Sequence, residues 1–431
     1  MAPGAAGPCP PRLRSGIMRR DGVDPESPVH EASPADVGDE TERMEVVGGR
    51  RERREAARPR RARRAVVVVL ALALLLAVVA GGGWYLYRSI VTTPDFEGDG
   101  TGNVLVQVHD GDTTSEIGAE LARAGVVAVQ ASFTEAAADN DKIRSVQPGY
   151  YEMRLRMSGA SAVALMLDPK SRVGQLEIRG GVQLDDTKAP DGVVTPGVLS
   201  LIGRATCTTV DGAEKCVTAD QLRTAMSKTD PAQLGVPDWA LADVAKAPPN
   251  RRLEGLLMPG RYDVAPGASA VDALRSVVTS SADRIAATGL LAGASKVGMS
   301  PYDVLILASL VEKESITADM PKVARVIYNR LGAGQRLELD TTINYPLDVP
   351  SLYTSPENRA KPGPYNTYLN TGLPPTPIAP AGSDAVAAAL APADGPWMFF
   401  VICEKNGTSC FANTFAEHQA NVAKARANGA F

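Results

Sequence analysis

Residues 65–87, AVVVVLALALLLAVVAGGGWYLY, are a run of 23 residues without a charge. Nothing else in the chain limits its fold as strongly, because about 20 apolar residues suffice for a helix to cross the hydrocarbon core of a bilayer. Trp84, Tyr85 and Tyr87 close the run at one end, where interfacial rings belong. Nine arginines fall between residues 50 and 64, whereas Asp95, Glu97 and Asp99 follow the run. This asymmetry predicts a cytoplasmic N-terminus with residues 88–431 outside, since positive charge is retained on the cytoplasmic side. The competing reading is a cleaved signal peptide, with VVA at 78–80 weakly resembling a cleavage site. The long segment before it and the apolar continuation through Tyr87 favour an uncleaved anchor.

Residues 1–64 are rich in Pro, Gly, Arg and Glu and nearly free of aromatics. Such a segment buries too little apolar surface to offset chain entropy, so a disordered cytoplasmic tail is expected. Met18 and Met44 are alternative starts. The remaining length of the 431-residue chain suits two or three domains, and its 44% hydrophobic content supports a sizeable core. The formal net charge of -4 gives no reason to expect nucleic acid as a partner.

Four of the five cysteines form two close pairs, Cys207 with Cys216 and Cys403 with Cys410, while Cys9 lies in the tail. In an exterior compartment such pairs read as disulfides, with reduced thiols as the alternative. WMFFVICEKNGTSCFANTF reads as two strands around Asn406-Gly407, a type I′ hairpin signal. A two-residue turn there would set Cys403 directly opposite Cys410, within disulfide reach.

After a Gly/Asp/Thr-rich linker at 88–102, residues 103–175 alternate short elements. A strand is expected at 104–108, then an Asp110-Gly111 turn. A helix capped by Thr113 or Thr114 follows, then a helix at 130–138, a strand at 149–155 and a helix opened by Ser161. The pattern resembles a LysM-like module, a small fold that often contacts N-acetylated glycans; a spacer without a ligand is the alternative. The fold class expected is therefore α+β: one transmembrane helix (65–87), the small module, and a mixed α+β domain at 176–431.

The chemistry concentrates in MSPYDVLILASLVEKES. Ser300 is a good N-cap, Pro301 suits the first helical position, and Asp303 favours the positive end of the helix dipole. At 100° per residue, Val304, Leu307 and Val311 share one face. Glu314 continues that face, while Glu312 points roughly 140° away from Leu307. A carboxyl on an apolar face is costly to ionise, so its pKa should rise into the range of a general acid. If the helix frays before Glu314, that carboxyl is merely solvated. A second helix is expected from Asp319 to Gly332, ending in Asn329-Arg330, and LELDTTINYPL reads as a short strand holding Asp340, Thr341 and Thr342. GPYNTYLNTGLPPTPIAPAG combines aromatic, amide and hydroxyl groups with Pro/Gly turns, a composition suited to lining a sugar groove.

LASLVEKES, VARVIYNRL, LELDTTINY, YNTYLNTGLPPTPIAPAG and FANTFAEH occur in the order that resembles the YceG-like (MltG) family of endolytic peptidoglycan transglycosylases. The likeness spans 103–431. It implies a membrane-anchored enzyme that cuts nascent glycan strands internally and so ends their elongation. Glu314 matches the family's catalytic glutamate. Asn329, Arg330, Asp340, Thr341, Tyr365, Asn366, Thr367 and Asn413 then become candidate substrate contacts. The partners implied are peptidoglycan strands and the lipid bilayer, with cell-wall synthesis proteins as further candidates. The chain departs from the family in its Arg-rich tail, its cysteine pairs and the segment near 186–217. In the reaction implied, one glutamic acid protonates the oxygen leaving N-acetylmuramic acid. It then takes the proton of the muramyl C6 hydroxyl as that group closes on C1, giving a 1,6-anhydro end.

Two rivals stay open: a muramidase-type hydrolase with Asp340 as second carboxylate, and a non-catalytic peptidoglycan-binding scaffold. His30, His109 and His418 are scattered and no nucleotide-binding motif is present, so neither metal nor cofactor is expected.

Overall fold

The structure, a computed structural model, describes residues 60–91, 93–189, 191–210, 213–347 and 354–430. The tail before residue 60, with Cys9, His30 and both alternative start methionines, lies outside them. The chain divides into two units, residues 1–85 and 86–431. Helix α1 runs from Arg60 to Val91. Its stretch Ala65–Leu86 has a mean hydropathy of 2.9 and is long and apolar enough to cross a membrane.

The second unit opens with β1 (Asp99–Val108), α2 (Thr114–Arg123), α3 (Gln130–Ala138), β2 (Gly149–Met157), α4 (Gly159–Met166) and β3 (Arg172–Val173). The three strands form one sheet in the order β1-β2-β3, with β1 and β2 antiparallel. Thr113 and Glu116 cap α2 reciprocally, which satisfies two otherwise orphaned N–H groups. Val106, Leu121, Phe133 and Met153 lie at the centre of this module's own core. Two expectations are corrected. The linker is shorter than 88–102, because α1 continues to Val91 and Asp99 already pairs with Met157. Helix α4 is capped by Ser158, not Ser161: the Ser158 hydroxyl accepts from the Ser161 N–H.

The chain continues with β4 (Gln175–Ile178), the short strands β5 (Thr187–Lys188) and β6 (Val194–Thr195), then α5 (Val198–Ala205). A second hairpin, β7 (Thr208–Val210) and β8 (Ala213–Lys215), is closed by a Cys207–Cys216 disulfide. The segment near 186–217 is thus two hairpins around one helix. Next come α6 (Ala219–Lys228), α7 (Asp238–Lys246) and β9 (Gly260–Asp263), the last antiparallel to β4. The remainder is mostly helical: α8 (Ala270–Ala287), α9 (Leu290–Ala294), α10 (Pro301–Glu314), α11 (Met320–Gly332), α12 (Asp340–Asn344), α13 (Pro356–Arg359) and α14 (Ser383–Leu390). Strands β10 (Phe399–Ile402) and β11 (Ser409–Ala412) and helix α15 (Phe415–Asn428) complete it.

Helix α10 joins two hydrophobic cores. Tyr302, Leu305 and Ile306 pack into one with β4, α5, α6 and α8. Val304, Leu307, Ala308, Leu310 and Val311 pack into the other with α11 and α14. Every residue from Val304 to Val311 is buried, so the single apolar stripe read from the sequence is in fact a helix covered on all sides.

Two further expectations are overturned. LELDTTINYPL is not a strand: Asp340–Asn344 is helical. Its β-branched Thr and Ile residues are held by tertiary partners rather than by a ladder, and context overrides strand propensity. The β10–β11 hairpin also uses a longer loop. Val401 opposes Cys410, and the Cys403 N–H donates to the Thr408 carbonyl. A type I′ turn needs φ > 0 at both central residues, but of Asn406 and Gly407 only Gly407 has it. Cys403 and Cys410 are therefore diagonal neighbours, joined in a disulfide with a Cα–Cα distance of 5.6 Å.

Candidate active site

Helix α10 begins where the Ser300 hydroxyl accepts from the Asp303 N–H, with Pro301 in its first turn. It stops at Glu314 because Ser315 is extended, and the Ser315 hydroxyl donates to the Val311 carbonyl, one of the acceptors a helix end leaves open. Glu314 thus stands at the last residue of a buried helix. The residue keeps partial exposure, yet its carboxyl is pushed up to about 7, first by burial and further by the nearby Asp340 charge. Thr341 and Lys313 oppose this rise. The C-terminal end of a helix also disfavours negative charge.

The Thr341 hydroxyl, in the first turn of α12, donates to Glu314 Oε1. Beside it, Asp340 is surrounded by donors. Thr354 Oγ1 and Tyr368 Oη each donate to Oδ1 at 2.6 Å, and Arg359 Nη2 donates to Oδ2 at 3.2 Å. The Arg359 guanidinium also lies over the Tyr368 ring, 4.9 Å from its centroid. Helix α12 therefore sets a hydroxyl on the raised carboxyl and a multiply bonded carboxylate next to it.

Glu312 sits apart from this group. Its Oε2 accepts from the Gly382 N–H at 3.0 Å, at the start of α14. It packs so tightly on Gly180 that a Cβ there would meet Glu312 Oε1 at 2.1 Å. Lys313 Nζ donates to the Gly181 carbonyl at 3.1 Å. Glu312, Lys313, Gly180 and Gly181, with Gln183 and Asp185, line a groove of about 360 Å³ beside the end of α10.

The other sequence candidates have internal partners. Asn329 donates to the Gly395 and Trp397 carbonyls. Arg330 is buried and donates to the carbonyls of Met398, Arg336 and Leu337 and to Glu338. Tyr365 pairs with Thr376, and Asn366 donates to the Arg359 and Lys361 carbonyls. The Thr367 hydroxyl accepts from the Leu339 N–H and meets Thr342. Asn413 is exposed, and its backbone N–H donates to Glu417. The structure thus gathers Glu314, Thr341 and Asp340, and turns Tyr365, Asn366, Thr367 and Arg330 into braces of the segments around them. One cluster of metal-type donors, Cys207, Glu214 and Cys216, has both sulfurs joined to each other.

Sequence reasoning missed Tyr368, Arg359 and Thr354, whose roles depend on the fold of 354–368. It also missed Glu254. That carboxyl is fully buried, and burial raises it to about 7 against the pull of Tyr345, the Leu184 N–H and Arg251. The available signal was a lone acid in the apolar run LEGLLM, since an acid is rarely buried without partners.

Residues 106–424 match the YceG-like family. An endolytic murein transglycosylase of Bacillus subtilis (strain 168) is 33% identical over 184 residues, 42% of this chain and 50% of that protein. One from Streptococcus pneumoniae serotype 2 is 25% identical over 330 residues, 74% of this chain and 58% of that protein. The chain therefore spans about half the length of these curated relatives. A crystal structure of a yceG-like protein from Listeria monocytogenes, 26% identical, aligns over 74% of this chain and 99% of its own with a TM-score of 0.48. With the family match covering most of its length, the chain belongs to the YceG-like family.

Proposed function

We propose that the protein is an endolytic peptidoglycan transglycosylase that cleaves the bond between N-acetylmuramic acid and N-acetylglucosamine and leaves a 1,6-anhydro end. The observation that carries this reading is Glu314, a carboxyl raised to about 7 at the partly exposed end of a buried helix, with a hydroxyl donor on one oxygen. A group titrating near neutrality is populated both as acid and as base, so it can serve in both steps. Protonated Glu314 donates to the leaving glycosidic oxygen. As carboxylate it accepts the muramyl C6 hydroxyl proton while that oxygen closes on C1. The intramolecular nucleophile makes a second carboxylate unnecessary.

Asp340 supports this reading over hydrolysis. Its Oδ1 already accepts from Thr354 and Tyr368 and its Oδ2 from Arg359, so water would have to compete with three donors for the acceptor position left on Oδ2. Asp340 and Thr341 act instead as electrostatic and hydrogen-bonding partners of Glu314. Asn329, Arg330, Tyr365, Asn366 and Thr367 hold the surrounding loops, and Asn413 contributes through its helix start.

The anchor reading is supported by Ala65–Leu86 and by the arginines before it: a single pass, N-terminus inside, with the strand-cleaving part outside and ending nascent strands at the membrane. The β1–α2–α3–β2 module then serves as a LysM-like glycan contact. Protease added to intact, wall-stripped cells should degrade the exterior part and leave the tail protected. Glu314→Gln, which keeps the shape but cannot supply a proton, should remove about 10⁴-fold of the strand-cleaving rate, the upper end for general acid–base catalysis. Full activity in a folded variant would end this assignment.

A further inference from the structure

Glu254 lies on a loop between α7 and β9, yet it touches the framework of Glu314 from two sides. Its Oε2 accepts from Tyr345 Oη at 2.8 Å. Its two oxygens accept from the Leu184 N–H at 3.1 and 3.3 Å. Tyr345 is the C-cap of α12, the five-residue helix whose first turn carries Thr341 onto Glu314. Leu184 lies between Gln183 and Asp185, two residues that line the groove beside α10. One sealed carboxyl thus ties together two walls that flank the end of α10.

Further contacts reinforce the clamp. Arg251 covers the Tyr345 ring, its guanidinium 4.6 Å from the centroid. The Tyr365 ring meets Tyr345 edge-on at 4.8 Å. Gly255, at φ 75°, brings the chain so close to Pro377 that a Cβ would meet its side chain at 2.2 Å. A helix of five residues has little stability of its own, so its position is set by its side-chain partners, Glu254 at Tyr345, Thr367 at Thr342 and Thr354, Tyr368 and Arg359 at Asp340.

We infer that Glu254 is a positioning residue for the Glu314 reaction: through Tyr345 it fixes α12, and through α12 it fixes the Thr341 hydroxyl on Glu314. This role rests on the function proposed above, but its geometric link does not. The Thr341 hydrogen bond lowers the pKa of Glu314. Asp340 on the same helix acts the other way but ranks below the Thr341 hydrogen bond, so loosening α12 should raise it on balance. The other charged or titratable groups acting on Glu314 are Asp340 on α12, Lys313 on α10 and Tyr368. Those acting on Glu254 are Arg251, Tyr345 and Asp185, and Tyr302 and Tyr365 also feel its charge.

The test is the titration of the Glu314 side-chain carboxyl, followed by carbon NMR in the full-length, glutamate-labelled protein in detergent without substrate. Tyr345→Phe keeps the ring and removes the hydroxyl. It should move the Glu314 midpoint upward by about 0.5–1 pH unit, the worth of one hydrogen bond, as should Thr341→Val. Glu254→Ala should do the same. Glu254→Gln should leave the midpoint near wild type, because its carbonyl still accepts from Leu184 and its amide can donate to a reversed Tyr345 hydroxyl. An unmoved Glu314 midpoint in Tyr345→Phe overturns the inference. This readout needs no turnover, so it is decided separately from the strand-cleaving assignment, which stands or falls with Glu314→Gln.

Discussion

Glu314 and Glu254 are both pushed to about 7 by burial, but their surroundings differ. Glu254 is completely enclosed, with Tyr345 and the Leu184 N–H on its oxygens and Arg251 nearby. Glu314 keeps partial exposure and a single side-chain donor. A carboxyl sealed from solvent has no path for exchanging protons with a substrate. A carboxyl at the open end of a helix has one. A raised pKa therefore marks a desolvated acid, and access together with free acceptor capacity marks a working one. On the proposed reading the two divide the labour: one acid performs the transfer, and the other holds the helix that sets its partner.

The largest effect that could break this contrast is in turnover. Glu314→Gln should lose about 10⁴-fold. Tyr345→Phe should lose only about tenfold, as expected for one displaced hydrogen bond near the site. Both are read as release of soluble glycan fragments. Equal losses would erase the distinction between transfer and positioning.

The next effect is on stability. Both carboxyls have folded pKa values above their ordinary 4.5. Each contributes stability that is fully present below about 4.5 and is lost as pH rises through about 7. For the enclosed Glu254 the loss is on the order of 3 kcal/mol. Denaturant unfolding across pH 4–8 should show stability falling with pH, and Glu254→Gln should flatten that fall.

How much of this was legible differs along the chain. The start of helix α10 could be read because Ser300, Pro301 and Asp303 fix it by local chemistry, while its end at Glu314 stayed open until the structure placed it. Glu314 followed from counting along it. What could not be read is what tertiary contacts decide. The full burial of α10 needs a second core, supplied by β4, α5 and α8 from distant sequence. Helix α12 looked like a strand because its Thr and Ile residues favour one, whereas contacts to Glu254, Glu314, Thr367 and the donors around Asp340 hold it helical. The Asn406-Gly407 signal located the hairpin, but the loop length fixed its register.

A smaller effect concerns the hairpin. The Ser409 N–H donates to Asp319 at 2.6 Å, just past the loop that leaves Glu314, and a Cβ on Gly407 would touch Ile316 at 2.9 Å. Non-reducing peptide mapping should find Cys403 linked to Cys410. Replacing both by Ser should cost about 2 kcal/mol, the low end for a short loop, with a few-fold loss of activity.

The smallest effect is expected at Glu312. Glu312→Gln retains a carbonyl to accept from the Gly382 N–H, so its rate should stay within a few-fold of wild type, as for other substitutions that keep a hydrogen bond. A loss rivalling that of Glu314→Gln would move the transfer role along the helix.

The central claim is that one carboxyl, Glu314, cleaves the strand without water. Purified glycan strands incubated with the wild-type protein and analysed by mass spectrometry test it directly. Products ending in 1,6-anhydro-N-acetylmuramic acid, about 18 Da lighter than the hydrolysed ends because the C6 hydroxyl replaces water, are the expected result. Reducing N-acetylmuramic acid ends would contradict it, even if Glu314 proved essential.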